Sequence, residues 1–174
     1  ELNRGKTRYA GMRAEERIQL QNNIIAGLPG SEESYSLDDL RTAIDKYKNI
    51  DTKILQQHLI DFLKEVIPVA EEAGIKMAIH PDDPPYSLLG LPKVTCNARQ
   101  LEQLFEEVPS LNNGLCFCTG SFGVRPDNNL PKMVEQFSDR IHFVHLRSTR
   151  RNLWGDFYED NHLEGDVDMY NVVK

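Results

Sequence analysis

Three short apolar runs, each pair separated by room for an amphipathic helix, constrain this chain more than any other feature. Residues 75–80 (IKMAIH), 114–118 (GLCFC) and 141–146 (IHFVHL) read as strands. Between them, residues 97–108 read as a helix capped by Asn97, with Leu101, Leu104, Phe105 and Val108 on one side. Residues 130–137 read as a second helix. Such alternation implies parallel strands joined by helical crossovers. The chemically active residues sit at C-terminal strand ends, the functional face of α/β folds. A (β/α)8 barrel needs about 250 residues, and only three strands are legible in 174. The fold expected is therefore α/β, part of a (β/α)8 TIM barrel.

The preceding third reads as helical. A helix over 12–25, anchored by Ile18, Ile24 and Ile25, stops at Gly27, Pro29 and Gly30. Ser36 and Asp39 form a capping-box pattern opening a helix to about Tyr47. Asp51 caps a longer helix striped with Ile54, Leu55, Leu59, Phe62, Leu63 and Val66, kinked or divided at Pro68 and ended by Gly74. Residues 119–128 and 147–165 read as loops, and 167–173 as a final amphipathic turn that Asp166 could cap. The whole chain is expected to be one partial barrel domain, with a helical region over 12–73 and β/α units over 75–174.

Composition excludes several functions. Twenty Lys+Arg against 27 Asp+Glu give a net charge of −7, and the one basic run, 147–151, reads as a loop. Nucleic acid is not an expected partner. No apolar run approaches the ~20 residues that span a bilayer, and no signal-peptide pattern opens the chain. Three cysteines make no disulfide framework. Cys116 and Cys118 share a strand face but are held apart by the pleat. A reducing cytoplasm is the expected location, and Cys96 is read as structural.

His80, Cys118 and His145 are the sharpest set. Imidazole and thiolate suit a first-row divalent ion, and three protein ligands leave positions for water or substrate. The plainer explanation is two capped strand-end histidines and a buried thiol. Strand parity puts His145 on one face with Ile141 and Phe143, and His142 on the other with Val144. Position favours Cys118 over Cys116. Arg147 could bind a carboxylate in a forked geometry or be a solvated loop residue. Asp82 and Asp83 could orient the ligand His80 or make turns. Thr119, Gly120 and Ser121 offer hydroxyls and close backbone approach, or a simple turn. His162, Asp166 and Asp168 could reach the site from the long loop. No phosphate-binding glycine loop and no nucleophile elbow occurs.

Five segments, in order, carry a resemblance: 23–30 (NIIAGLPG), 80–85 (HPDDPP), 118–121 (CTGS), 145–148 (HLRS) and 165–169 (GDVDM). From about residue 12 onward the chain closely resembles the mannonate dehydratase family. The resemblance implies a TIM barrel related to the xylose-isomerase-like barrels. It implies a lyase of hexuronate breakdown that dehydrates D-mannonate to 2-dehydro-3-deoxy-D-gluconate with Mn²⁺ or Fe²⁺. The family's His, Cys and His ligands fall on His80, Cys118 and His145. Its fourth ligand, an Asp in an Arg-Pro-Asp-His-Gly segment, and a catalytic Tyr have no match here, and Asp166 and Asp168 belong to a different motif. The last barrel strand and the main acid and base groups are thus expected beyond Lys174, with His162 the local candidate. Arg147, Ser121 and Asp82 are the expected substrate contacts. The partner is a small sugar acid, and a homodimer is left open. The chain alone is expected to be inactive. A metal-dependent sugar isomerase or epimerase on the same barrel fits less well with a Cys between two His. The remaining alternative is a metal-free fragment that docks through its acidic helices.

Overall fold

A computed structural model describes residues 2–26 and 36–174. The chain divides into two compact units, Glu1–Asn49 and Ile50–Lys174.

The first unit contains helices α1 (Leu2–Ala10), α2 (Ala14–Ala26) and α3 (Leu37–Asp45). The sequence signalled no helix before residue 12, so α1 is an addition. Ile18 and Ile24, read as apolar anchors of α2, are exposed. The stop signal at Gly27, Pro29 and Gly30 lies outside the described residues, and so does that half of the 23–30 segment. Helix α3 starts as its capping box requires: the Ser36 hydroxyl accepts from Asp39 N–H, and the Asp39 carboxylate accepts from Ser36 N–H.

The second unit opens with α4 (Thr52–Glu72), whose first turn is capped by the Asp51 carboxylate. Pro68 lies inside this helix and does not divide it. Its buried face, Gln56, Ile60, Leu63, Ile67 and Ala70, runs through the proline, and packing on both sides offsets the one backbone bond that proline removes. That face differs from the expected stripe, because Ile54 and Phe62 are exposed. Gly74, at φ +67°, ends the helix. Its N–H bonds Glu71 O and the N–H of Ile75 bonds Ala70 O, the paired pattern that only a left-handed residue allows without strain.

Strands β1 (Met77–Ile79), β2 (Asn113–Cys118) and β3 (Ile141–His145) form a parallel sheet in the order β1-β2-β3. Helix α5 (Ala98–Glu107), capped by Asn97, links the first two. Helices α6 (Thr119–Gly123) and α7 (Leu130–Phe137, capped by Asn129) link the second and third. The stretch read as a loop after Cys118 is therefore partly helical. Beyond β3, residues 147–165 form not a loop but an antiparallel hairpin, β4 (Ser148–Arg151) with β5 (Phe157–Asp160). The final helix α8 (Met169–Val173) is capped by Asp168 rather than Asp166.

Leu115 and Phe117 of β2 face a core completed by Leu101, Phe105, Phe122, Leu130, Met133 and Phe137. Each such side chain contributes roughly 1.5–3 kcal/mol by leaving water. Ile60, Leu63 and Ile67 of α4 pack with Leu104 and Val108 in a second cluster. The register of β3 on β2 shifts, Leu115 pairing with Ile141 but Cys116 with Phe143. His142 is the extra residue of this bulge. It lies over Gly114, where a Cβ would meet the imidazole at 2.3 Å, and its Nδ1 donates to Met77 O at 2.8 Å. Parity therefore fails at the start of β3: Ile141 packs against the core, and His142 joins the Gly114 face. Among the described residues no helix is long and apolar enough to cross a membrane.

Candidate metal centre

The parallel sheet brings three residues together at its C-terminal edge. Ligand atoms of His80, Cys118 and His145 all lie within 4.8 Å of one another. Cys118 and His145 are register partners at the ends of β2 and β3, and His80 follows β1 directly. The two imidazole rings are 5.1 Å apart between centroids, and Phe143 stands edge-on to His145 at 5.4 Å. His142 and Cys116 are not in the cluster.

The surroundings suit a donor set for a transition metal. His80 Nδ1 lies 2.7 Å from Pro81 O. A carbonyl only accepts, so Nδ1 donates there and Nε2 is the ring nitrogen left for a ligand. Three donors converge on the Cys118 sulfur: Ser121 N–H at 3.4 Å, the Ser121 hydroxyl at 3.2 Å and Arg147 Nη1 at 3.8 Å. Sulfur thus has its acceptor capacity oriented by fixed groups, as metal thiolates do.

The segment 118–121 owes each residue to this geometry. Thr119 is fully buried; its hydroxyl accepts from Arg147 N–H at 2.8 Å and reaches the carbonyls of Arg147 (2.6 Å) and His145 (3.1 Å). It thereby ties the end of β3 to the residue after Cys118. Gly120 has no side chain because Arg147 Cβ would lie 2.7 Å from a Cβ there. Ser121 is buried and serves the thiol.

The other candidates separate. Arg147 is bound by Asp83 at 2.9 Å and by Glu159 at 3.3 Å, bonds that hold its guanidinium more firmly protonated than usual. Asp82 turns into its own loop: its carboxylate accepts Val94 N–H, Thr95 N–H and the Thr95 hydroxyl. Cys96 is buried beside it, and burial, reinforced by the Asp82 charge, pushes its thiol up to about 12. His162 Nε2 donates to Leu146 O at 2.7 Å, which commits that nitrogen to the backbone. Asp166 accepts from Arg151 N–H and Nε, and Asp168 from Asn171, so both stabilise local turns. Gly165 sits against Ser148, where a Cβ would approach Oγ to 2.1 Å. The 165–169 segment thus closes the hairpin. A cavity of about 760 Å³ lined by Arg125, Lys132, Arg151 and Asn171 includes none of the cluster residues.

Glu159 was absent from the sequence-level candidates. The one local signal for it is the turn at Asn152–Gly155, with Gly155 at φ +83°, since the charged strands on either side do not alternate.

Parallel strands whose C-terminal ends gather two imidazoles and a thiol define an α/β protein with a candidate transition-metal centre. The family model described as D-mannonate dehydratase (UxuA) matches residues 6–174, and the chain belongs to that family. It is 50% identical over 172 residues to a mannonate dehydratase of Saccharophagus degradans, covering 99% of this chain and 43% of that one. It is 51% identical over 164 residues to one of Marinomonas sp., covering 94% and 42%. The crystal structure of mannonate dehydratase from Streptococcus suis serotype 2 superposes with a TM-score of 0.71 at 41% identity, over 75% of this chain and 38% of that one. The chain thus spans less than half the length of these relatives.

Proposed function

We propose that this chain is the metal-binding part of a (β/α)8-barrel lyase that dehydrates D-mannonate to 2-dehydro-3-deoxy-D-gluconate. The observation that carries the reading is the convergence of His80, Cys118 and His145 within 4.8 Å at the ends of parallel strands. His80 through Nε2, the Cys118 sulfur and a His145 ring nitrogen would hold Mn²⁺ or Fe²⁺. When bound, the divalent ion supplies Lewis-acid stabilisation of the charge that builds on a carboxylate substrate.

Dehydration takes the proton from C2, beside the carboxylate, and hydroxide from C3. Arg147, one-third exposed and with one N–H not taken by Asp83, Glu159 or the Cys118 sulfur, is the group for the anionic end of the sugar acid. Ser121 and Asp82 act through the groups they hold: Ser121 orients the sulfur, and Asp82 fixes the loop that His80 opens. His162 Nδ1 is the local group for proton transfer. The principal acid and base groups, and the remaining barrel strands, belong to the part of the relatives' length that this chain does not cover. Three free, buried cysteines support a reducing cytoplasm as the location.

The test is metal binding and product formation in the full-length protein. Cys118→Ser is expected to weaken Mn²⁺ binding by more than the ~10–100-fold that loss of an outer partner costs. The keto-deoxy product should disappear with it. Cys96→Ser and Cys116→Ser should leave metal affinity near that of the wild type. Equal loss in all three variants would mean packing rather than coordination. An isomerised or epimerised sugar in place of the keto-deoxy acid would overturn the lyase assignment.

A further inference from the structure

The guanidinium of Arg147 is gripped from two sides. Asp83, in the loop after β1, takes Nη1 at 2.9 Å. Glu159, on β5, takes Nε and Nη2 in a forked pair, each at 3.3 Å. Nη1 also reaches the Cys118 sulfur at 3.8 Å. Four of the five N–H groups of this side chain are thereby engaged. Gly120 clears its path across the first turn of α6. The hairpin register, in which Glu159 pairs with Thr149, brings the carboxylate to this point.

A guanidinium 3.8 Å from the Cys118 sulfur opposes a second cation there by simple repulsion. Two carboxylates set against its one positive charge reverse that balance. We propose that Glu159 is a positioning residue for the metal centre: with Asp83 it fixes Arg147 against the Cys118 sulfur and offsets its charge. The affinity of the cluster for a divalent cation is then set by the hairpin β4–β5 as well as by the sheet. The inference rests on the metal reading above.

Glu159 is well suited to a test because its side chain is 60% exposed, so replacing it leaves the core untouched. The full-length protein is stripped of metal and titrated with Co²⁺, followed by sulfur-to-cobalt absorption, with the melting temperature of the metal-free form as the stability control. Glu159→Gln keeps the shape and loses the charge. It is expected to weaken Co²⁺ about 10-fold at an unchanged melting temperature, and Glu159→Asp should recover part of the loss. Asp160→Asn breaks the other cross-hairpin ion pair, with Arg150, and should leave Co²⁺ affinity unchanged. Wild-type affinity in Glu159→Gln, or an equal loss in Asp160→Asn, would overturn the positioning role while leaving the metal centre intact. Absence of the cobalt–sulfur absorption in the wild type would overturn the metal reading and this inference together.

Discussion

Two long segments follow strands at the cluster, residues 81–95 after β1 and residues 147–168 after β3, and one aspartate closes each. In the first, Asp82 Oδ2 accepts Val94 N–H at 2.8 Å, Thr95 N–H at 2.9 Å and the Thr95 hydroxyl at 3.2 Å, and Lys93 pairs with Oδ1 at 3.4 Å. In the second, Asp166 accepts Arg151 N–H at 2.8 Å and Nε at 3.1 Å, and its own N–H donates to Thr149 O at 2.8 Å. Beside each latch a second carboxylate, Asp83 or Glu159, reaches Arg147. The device is the same, but its setting differs. Asp82 is 21% exposed in a loop stiffened by Pro81, Pro84, Pro85 and Pro92. Asp166 is 34% exposed, and the hairpin it closes ends in an open tip where Leu153 is 98% exposed. A charge-assisted bond is worth more where water competes less, so the first latch should be the stiffer.

The widest separation between them should come from truncating each aspartate. Asp82→Ala leaves two backbone N–H groups and a hydroxyl without their acceptor. It is expected to cost about 3 kcal/mol of stability by urea unfolding. Metal affinity should fall too, because His80 opens the same loop. Asp166→Ala is expected to cost about 1–2 kcal/mol. Equal costs would remove the distinction in rigidity.

Acid sharpens the contrast at the second latch. The Arg151 backbone N–H, with its side chain adding to the effect, holds the Asp166 carboxyl below the usual range. A depressed folded pKa contributes stability above the unfolded value, near ~3.9, and loses it as pH falls through the folded value. The stability gap between wild type and Asp166→Ala should therefore narrow as pH falls below about 4. A gap undiminished at about pH 3 relative to about pH 6 would mean that charge is not what closes the hairpin.

What the sequence disclosed follows from the range of each interaction. The caps at Ser36, Asp51 and Asn97 act within one turn, so local spacing reveals them. The strand-end set was legible because parallel strands carry their ends to one edge, whatever the helices between them contain. The hairpin was hidden because Arg150, Arg151, Glu159 and Asp160 break the apolar alternation by which strands are read. The face of His142 was misread because one inserted residue shifts the strand register, which no parity rule can detect. Arg147 was identifiable as a cation beyond the strand ends. That Asp83 and Glu159 already occupy its donors depends on contacts 64 and 12 residues away in the chain.

The smallest expected effect lies in the first latch, which includes a thiol where the second has none. Cys96 Sγ lies 3.7 Å from Asp82 Oδ2, and Cys96 is only 4% exposed. Burial first, and the Asp82 charge second, push the thiol up to about 12. In the unfolded chain the same thiol ionises near ~8.5. A folded pKa above the unfolded one gives stability that is fully present below the unfolded value and is lost as pH rises towards the folded one. Cys96→Ala removes the titrating group along with some packing. Wild type should therefore be the more stable at pH 8, and its advantage should shrink by about 1 kcal/mol by pH 9.5, read as the difference between the two urea curves at each pH. The subtraction cancels tyrosines and lysines that titrate in both proteins. If the advantage stays constant over that range, the Cys96 thiol ionises as readily in the folded protein as in the unfolded chain. The Asp82 latch would then be as open to water as the Asp166 latch.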